Sequence, residues 1–361
     1  MADPDTASID PQALITWFEA TKEPFPWRAV RTPYTVWISE VMLQQTQAAT
    51  VVPYYERFLV RFPDVTALAG AALDDVLKLW EGLGYYSRAR HLHRAARILV
   101  AEHGGELPRD PDALRRLPGI GPYTANAIAS LAFGVDAPVL DGNVIRILTR
   151  LYDISDDARR VETRTALWRI AGELVPPGQA AAWNEGLMEL GRRLCTPKAP
   201  RCAECPLAAS CRARMAGTQA ERPVHSKKPP IPHHIVTAAV IRRADGRVLI
   251  AQRPVDGMLG GLWEFPGGKC LAGETLQECL RREIREELGV GIAVGGQITK
   301  IRHAYSHFRI TLHAFLCTLT AGEPQAIACA DLAWVTLDEL GRYAFPTTDQ
   351  KIIAALVDAR G

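Results

Sequence analysis

No apolar run in the 361 residues approaches the roughly 20 needed to cross a bilayer, so a helical membrane protein is excluded. Neither charge is in excess: 42 Lys and Arg face 40 Asp and Glu, and composition gives no global nucleic-acid signature. The opening stretch MADPDTASID is acidic and has no apolar core, so neither a secretory signal nor a transit peptide is expected. An intracellular, soluble protein is the resulting expectation. In that setting the eight cysteines read as thiols or metal ligands before disulfides. There is no internal repeat and no low-complexity tract. The length exceeds one ordinary core and calls for two or three domains.

Charge is unevenly placed. Residues 191–232 hold nine Lys or Arg and two Glu, a net of +7, which leaves −5 for the rest. Such a basic patch suits phosphates, although a solvated linker would look the same. A Pro-rich basic stretch, RPVHSKKPPIPHH (222–234), favours extended backbone and divides the chain. Before it, apolar residues recur at three and four, as in residues 113–117, 125–133 and 163–174, a helical pattern. After it, IVTAAVI, RVLIAQR, ITLHAFLCTL and LAWVTL read as strands around one Glu-rich helix. A multidomain chain follows: an all-α front of about 220 residues and an α/β back.

Three clusters carry chemistry. Cys195, Cys202, Cys205 and Cys211 form a C-x6-C-x2-C-x5-C series that can clip one metal centre, an iron-sulfur cluster or a tetrahedral zinc. Cys270, Cys279, Cys317 and Cys329 are scattered and read as packing residues. In ALRRLPGIGPYTANAIASLAFG (113–134), Gly119 and Gly121 permit a tight hairpin, and a helix opened by Pro122 offers its amides to an anion such as a DNA phosphate. In GGKCLAGETLQECLRREIREELGV (267–290), Glu283, Glu286 and Glu287 fall at helical spacings that gather them on one face, an arrangement suited to a hard divalent cation.

WISEVMLQQTQ (37–47), WEGLGYYSRAR (80–90), LPGIGPYTANAI, VLDGNVIRIL (139–148), WNEGLMELG (183–191) and the cysteine series, in that order, closely resemble the MutY family of adenine DNA glycosylases. That family belongs to the helix-hairpin-helix superfamily with endonuclease III. The resemblance implies a helix-hairpin-helix glycosylase region over 1–221, with a six-helix part at about 27–135 and a cluster part from 1–26 plus 136–221. It implies a linker at 222–234 and a Nudix/MutT-like domain over 235–361. It further implies one four-iron four-sulfur cluster on Cys195, Cys202, Cys205 and Cys211. The expected partner is duplex DNA with adenine opposite 8-oxoguanine or guanine, bound by a monomer in the cytoplasm or nucleoid.

Cleaving adenine from deoxyribose needs a proton on a poor leaving group while positive charge grows on the sugar, and two carboxylates in opposite ionisation states supply both. Glu40, set in apolar WISEVML, should be buried and hold a proton; it matches the family's general acid at adenine N7. Asp141, at a turn into a helix where amides favour its ionised form, matches the carboxylate that stabilises the oxocarbenium-like sugar. Otherwise Glu40 would be the buried partner of an arginine and Asp141 a simple N-cap. Tyr123 stands where bifunctional relatives carry a nucleophilic lysine, so strand cleavage should be weak or absent. Tyr123 and Asn143 are expected to hydrogen-bond the two carboxylates. By the same resemblance Gln45, Leu83 and Tyr85 insert around 8-oxoguanine, while Trp27, Arg28 and Glu185 line the adenine pocket. Arg88, Arg90, Arg94 and Arg97 either meet phosphate or form a solvated helix face.

The Nudix signature is complete here, from Gly268 through Glu274 to REIREELGV, with Arg282 orienting the glutamates. In many MutY proteins it has decayed. LGGLWEFPGGK (259–269) also resembles the hydrolase MutT, whereas HAYSH (303–307) resembles the Phe-Ser-His loop of MutY, with Tyr305 and His307 supporting Ser306. The back domain therefore either recognises 8-oxoguanine in the opposite strand or also hydrolyses 8-oxo-dGTP with Mg²⁺. For the whole chain the competing class is a damage-binding protein without catalysis, against which Glu40 and Asp141 together argue.

Overall fold

The computed structural model describes residues 9–226 and 230–358; the start of the acidic N-terminal segment, linker residues 227–229 and the last three residues lie outside them. Among the described residues, no helix is long and apolar enough to cross a membrane. The described chain divides into two compact units, residues before 70 together with 94–226, and residues 70–93 together with 230–358. The Trp80–Arg90 motif, expected within the six-helix part, thus groups with the back of the chain.

The first unit is helical throughout. Its hub is the helix Ala180–Arg193, which packs against Pro11–Thr21, Gly142–Leu151 and Pro122–Phe133, while Pro33–Leu43 packs against Pro122–Phe133. The core gathers Leu14, Leu148, Leu167, Trp183, Leu187 and Leu190, all at most 2% exposed. Each such side chain contributes about 1.5–3 kcal/mol on burial. Pro33–Leu43 begins with a Thr32 capping box and Pro33 at its first position, and nine of its residues from Tyr34 to Met42 are buried. A helix apolar on every side must be enclosed on every side, and Glu40 is carried in with it.

The linker starts as part of this unit. Arg222 lies 2.9 Å from Asp153 and its carbonyl accepts from Arg150.

The second unit contains two three-stranded sheets. In one, β5 (Arg309–Ala321) lies between β1 (His233–Ile241), parallel to it, and β4 (Gly291–Ala304), antiparallel. In the other, β2 (Val248–Gln252) pairs antiparallel with β3 (Trp263–Glu264) and β6 (Asp331–Val335). The helix Leu276–Leu288 opens on a Thr275 capping box, ends at Gly289 with φ 69°, and buries Cys279, Leu280, Ile284 and Leu288 against β1 and β4. Cys279 and Cys317 are buried packing residues as expected, and Cys270 and Cys329 are half-buried.

Candidate active site

Four helices of the first unit deliver side chains to one cavity of about 480 Å³. Pro33–Leu43 supplies Glu40 and the first turn of Pro122–Phe133 supplies Tyr123. Asp141 comes from the N-cap of Gly142–Leu151, and Ala180–Arg193 contributes Glu185, Met188 and Glu189. Trp27 and Arg28 complete the wall, with Trp27 stacked on Phe25 at 4.8 Å and edge-on to Tyr55 at 5.6 Å. The adenine-pocket trio Trp27, Arg28 and Glu185 and the expected catalytic group Glu40, Tyr123, Asp141 and Asn143 are therefore brought together.

The Tyr123 hydroxyl donates to Glu40 Oε2 at 2.8 Å and lies 3.1 Å from Met188 Sδ. Burial pushes the Glu40 carboxyl up to about 7; the Tyr123 hydrogen bond opposes this, and the charges of Glu185 and Asp141 add to it. Burial likewise raises the Tyr123 phenol far above its ordinary value, so it stays a donor.

Asp141 accepts from Val144 N at 2.7 Å through Oδ1 and from Asn143 Nδ2 at 2.9 Å through Oδ2. It is both the N-cap and a cavity wall, so the two readings of this residue coexist. The Val144 and Asn143 donors favour its ionised form, as expected, and burial opposes them. Burial outweighs these bonds and leaves the carboxyl above the usual aspartate range. Asn143 Oδ1 accepts in turn from Arg146 Nη2 at 2.8 Å, and Arg146 also reaches Gly191 O at 2.8 Å and Cys195 O at 2.7 Å.

A wider depression of about 830 Å³ is lined by Gln44, Gln45, Gly119, Gly121 and Arg146, and it shares Tyr123, Asp141 and Asn143 with the cavity. Gly119 adopts φ 77° in the hairpin, a conformation that excludes most side chains, and Gln45 sits at φ 57°.

Cys195, Cys202, Cys205 and Cys211 are free half-buried thiols lining one small cavity with Arg150, Arg201, Arg214 and Gln219. Arg150 Nη1 lies 3.3 Å from Cys195 Sγ. Among the described residues, no three His, Cys, Asp or Glu side chains converge closely enough to bind a metal ion as they stand. Convergence on one cavity beside the buried Arg150 guanidinium still fits an anionic cluster, because burial otherwise drives Cys205 up to about 11 and raises Cys211.

In the second unit, the Tyr85 hydroxyl and Ser306 Oγ are 2.6 Å apart, joining two motifs that lie 221 residues apart. Tyr85 is 43% exposed at φ 48°, with the Arg88 guanidinium 5.6 Å over its ring. Ser306 and His307 occupy the tip between β4 and β5, closed by Tyr305 N donating to Phe308 O at 2.8 Å and by ring contacts of Tyr305 with His303 and Phe308. Leu83 is buried at 6% exposure. Arg88 fits neither a phosphate contact nor a solvated face: it is buried and donates to Leu83 O and Gly84 O. Arg90 donates to Gly260 O, and Arg94 and Arg97 are exposed.

On the Glu-rich helix, Arg282 Nη1 takes both Glu283 at 3.0 Å and Glu286 at 3.2 Å, and its Nε takes Glu274 at 2.6 Å. Glu287 accepts weakly from Gly267 N at 3.3 Å and lines a cavity of about 240 Å³ with Arg253, Glu264, Tyr305 and Asp349. Gly268 sits directly against Glu283, since a Cβ there would lie 2.3 Å from its carboxylate and would make that side chain move.

Sequence reasoning passed over Arg31, Arg146, Glu189 and Arg192, all at these sites. Glu185 and Glu189, an i,i+4 pair in a helix otherwise rich in apolar residues, were the signal available for one of them.

Residues 38–173 match the family described as HhH-GPD superfamily base excision DNA repair protein, and residues 237–355 match the NUDIX domain. A thermostable thymine-DNA glycosylase aligns with a TM-score of 0.52 and 30% identity over 57% of this chain and 95% of that one. Endonuclease III in a non-covalent DNA complex aligns with a TM-score of 0.50 and 25% identity over 58% of this chain and 95% of that one. Fold and site together define a helix-hairpin-helix base-excision repair protein with a Nudix domain behind it. The human adenine DNA glycosylase is 34% identical over 94% of this chain and 72% of its own length, and the enzyme from Mus musculus 34% over 96% and 78%. The chain belongs to the adenine DNA glycosylase family.

Proposed function

We propose that the protein removes adenine paired with 8-oxoguanine or guanine in duplex DNA by acid-assisted hydrolysis of the N-glycosidic bond. The observation that carries this is the buried Glu40, bonded by Tyr123, in one cavity with Asp141. An extruded adenine occupies the cavity between Trp27 and the Arg28–Glu185 wall. Glu40 delivers its proton to adenine N7, the C1′–N9 electron pair leaves with the base, and Asp141 stabilises the cationic sugar until water adds at C1′. Asn143 and the Val144 amide orient Asp141 for that role. Tyr123 offers no amine for a Schiff base, so the product is an intact strand with an abasic site. Incubating the protein with a duplex carrying adenine opposite 8-oxoguanine should yield an alkali-labile site, and Glu40→Gln should slow this by at least about a hundredfold. A Glu40→Gln protein that excises at the parent rate would remove Glu40 from the mechanism.

Cys195, Cys202, Cys205 and Cys211 would hold a four-iron four-sulfur cluster, which when bound clips the basic loop and can carry one electron. The chemistry at adenine is performed by the residues named above. Iron content and visible absorbance distinguish this from zinc.

For the second unit, the Tyr85–Ser306 contact supports recognition of 8-oxoguanine in the opposite strand. Ser306→Ala should narrow the preference for 8-oxoguanine over guanine by about fivefold, the worth of one hydrogen bond of about 1 kcal/mol. An unchanged ratio would count against Ser306. The complete signature and the carboxylate-lined cavity beside Glu287 also favour a second reading, Mg²⁺-dependent hydrolysis of 8-oxo-dGTP through Glu283, Glu286 and Glu287. Monophosphate release no greater than that of Glu286→Gln and Glu287→Gln would exclude it.

A further inference from the structure

One wall of the active-site cavity is a closed network of ion pairs. Arg28 is held at three points: Nε to Glu185 Oε1 at 3.1 Å, Nη1 to Glu23 O at 2.9 Å and Nη2 to Glu189 Oε2 at 3.1 Å. The other Glu185 oxygen takes Arg31 Nη2 at 2.7 Å. The other Glu189 oxygen takes Arg192 Nη2 at 2.5 Å, with Arg193 Nη1 at 3.6 Å. Arg192 continues outward to Glu23 at 2.6 Å. Glu189 is the most enclosed member, with a side chain 2% exposed, whereas that of Arg192 is 37% exposed.

We infer that Glu189 is a positioning residue for base excision, the buried carboxylate that fixes Arg28 against Glu185 at the cavity wall and balances its charge beside Glu40. The inference rests on the reading of this cavity as the adenine site. A guanidinium clamped on two carboxylates and a carbonyl keeps its plane and presents its remaining N–H groups in one geometry. A charge buried near an acid that must hold a proton acts on that acid directly.

The groups that share the cavity with Glu40 are Arg28 and Arg31 on the N-terminal side, Tyr123 and Asp141 at two helix starts, and Glu185, Glu189 and Arg192 on Ala180–Arg193. Removing the charge of Glu189 leaves Arg28 and Arg192 in excess. Excess positive charge favours the Glu40 carboxylate, so the proton is lost at lower pH. Removing Arg192 instead leaves Glu189 in excess, and the proton is kept to higher pH.

The test is single-turnover adenine excision across pH for the parent, Glu189→Gln and Arg192→Gln. It is paired with binding to a duplex that carries an abasic analogue opposite 8-oxoguanine and so places no base in the cavity. Glu189→Gln should slow excision by about tenfold and move the alkaline limb down by about half a unit to one unit. Arg192→Gln, at the solvent side and compatible with the fold, should move that limb upward. Abasic-duplex binding should stay within about threefold of the parent for Glu189→Gln, because a carboxylate only 2% exposed is not placed to meet a DNA phosphate. Limbs that do not move in opposite directions would overturn the inference, as would an abasic-duplex affinity that falls in parallel with the rate. A parent protein that excises no adenine would instead remove the reading beneath it.

Discussion

Taking Glu40 out of water favours its neutral acid, while the Tyr123 hydroxyl, its oxygen 2.8 Å away, donates a hydrogen bond that favours the carboxylate, and burial wins. The result, a carboxyl near 7, is what a general acid at neutral pH requires. The sign of the pH dependence follows. A donor is competent only while protonated, so the single-turnover rate should be flat at acid pH and fall toward tenfold per unit above about 7. Tyr123→Phe removes the bond that opposes protonation, so its limb should shift to higher pH. A rate that rises through pH 7 in the parent would contradict the assignment. Asp141 shows the same competition with a finer balance, because two donors and the nearby Arg146 charge resist the effect of burial.

At the scale of elements, the site depends on how closely Ala180–Arg193 approaches the start of Gly142–Leu151. Gly191 makes this possible, since a Cβ there would lie 2.5 Å from Asn143 Cβ. Gly191→Ala should lower stability by about 1–3 kcal/mol through overpacking and slow excision by displacing the Asp141 partner; thermal unfolding with an excision assay checks both. Much of the architecture was legible in the sequence. The four apolar runs after residue 234 are β1, β2, β5 and β6, and the helical spacing of Glu283, Glu286 and Glu287 marked the helix Leu276–Leu288. β4 was missed because GIAVGGQITKIRHA has no clean alternation; two glycines and register shifts between Val294 and Thr299 break the period that identifies a strand. The same limit hid Glu189 and Arg146. Their partners, Arg28 at 161 residues' separation and Cys195 at 49, are set by helix packing, and the local trace is no more than the i,i+4 spacing of Glu189 from Glu185. Glu40 and Asp141 were legible because their flanking residues already state burial and a helix start.

For the whole molecule, the chain combines two units, a helical one whose cavity holds Glu40 with Asp141 and a second in which Tyr85 meets Ser306. The near-neutral net charge conceals a basic segment around the cysteine series, so DNA affinity should be local in origin and salt-dependent. Excision and recognition should then be separable, the first lost with Glu40 and the second blunted with Ser306. The most direct measurement is single-turnover release of adenine by the intact protein from duplexes that differ only in the opposite base. Adenine opposite 8-oxoguanine should be released fastest, opposite guanine more slowly, and opposite thymine not at all, each as an unbroken strand with an abasic site. Adenine that stays in place opposite 8-oxoguanine, or equal release opposite thymine, would contradict the account.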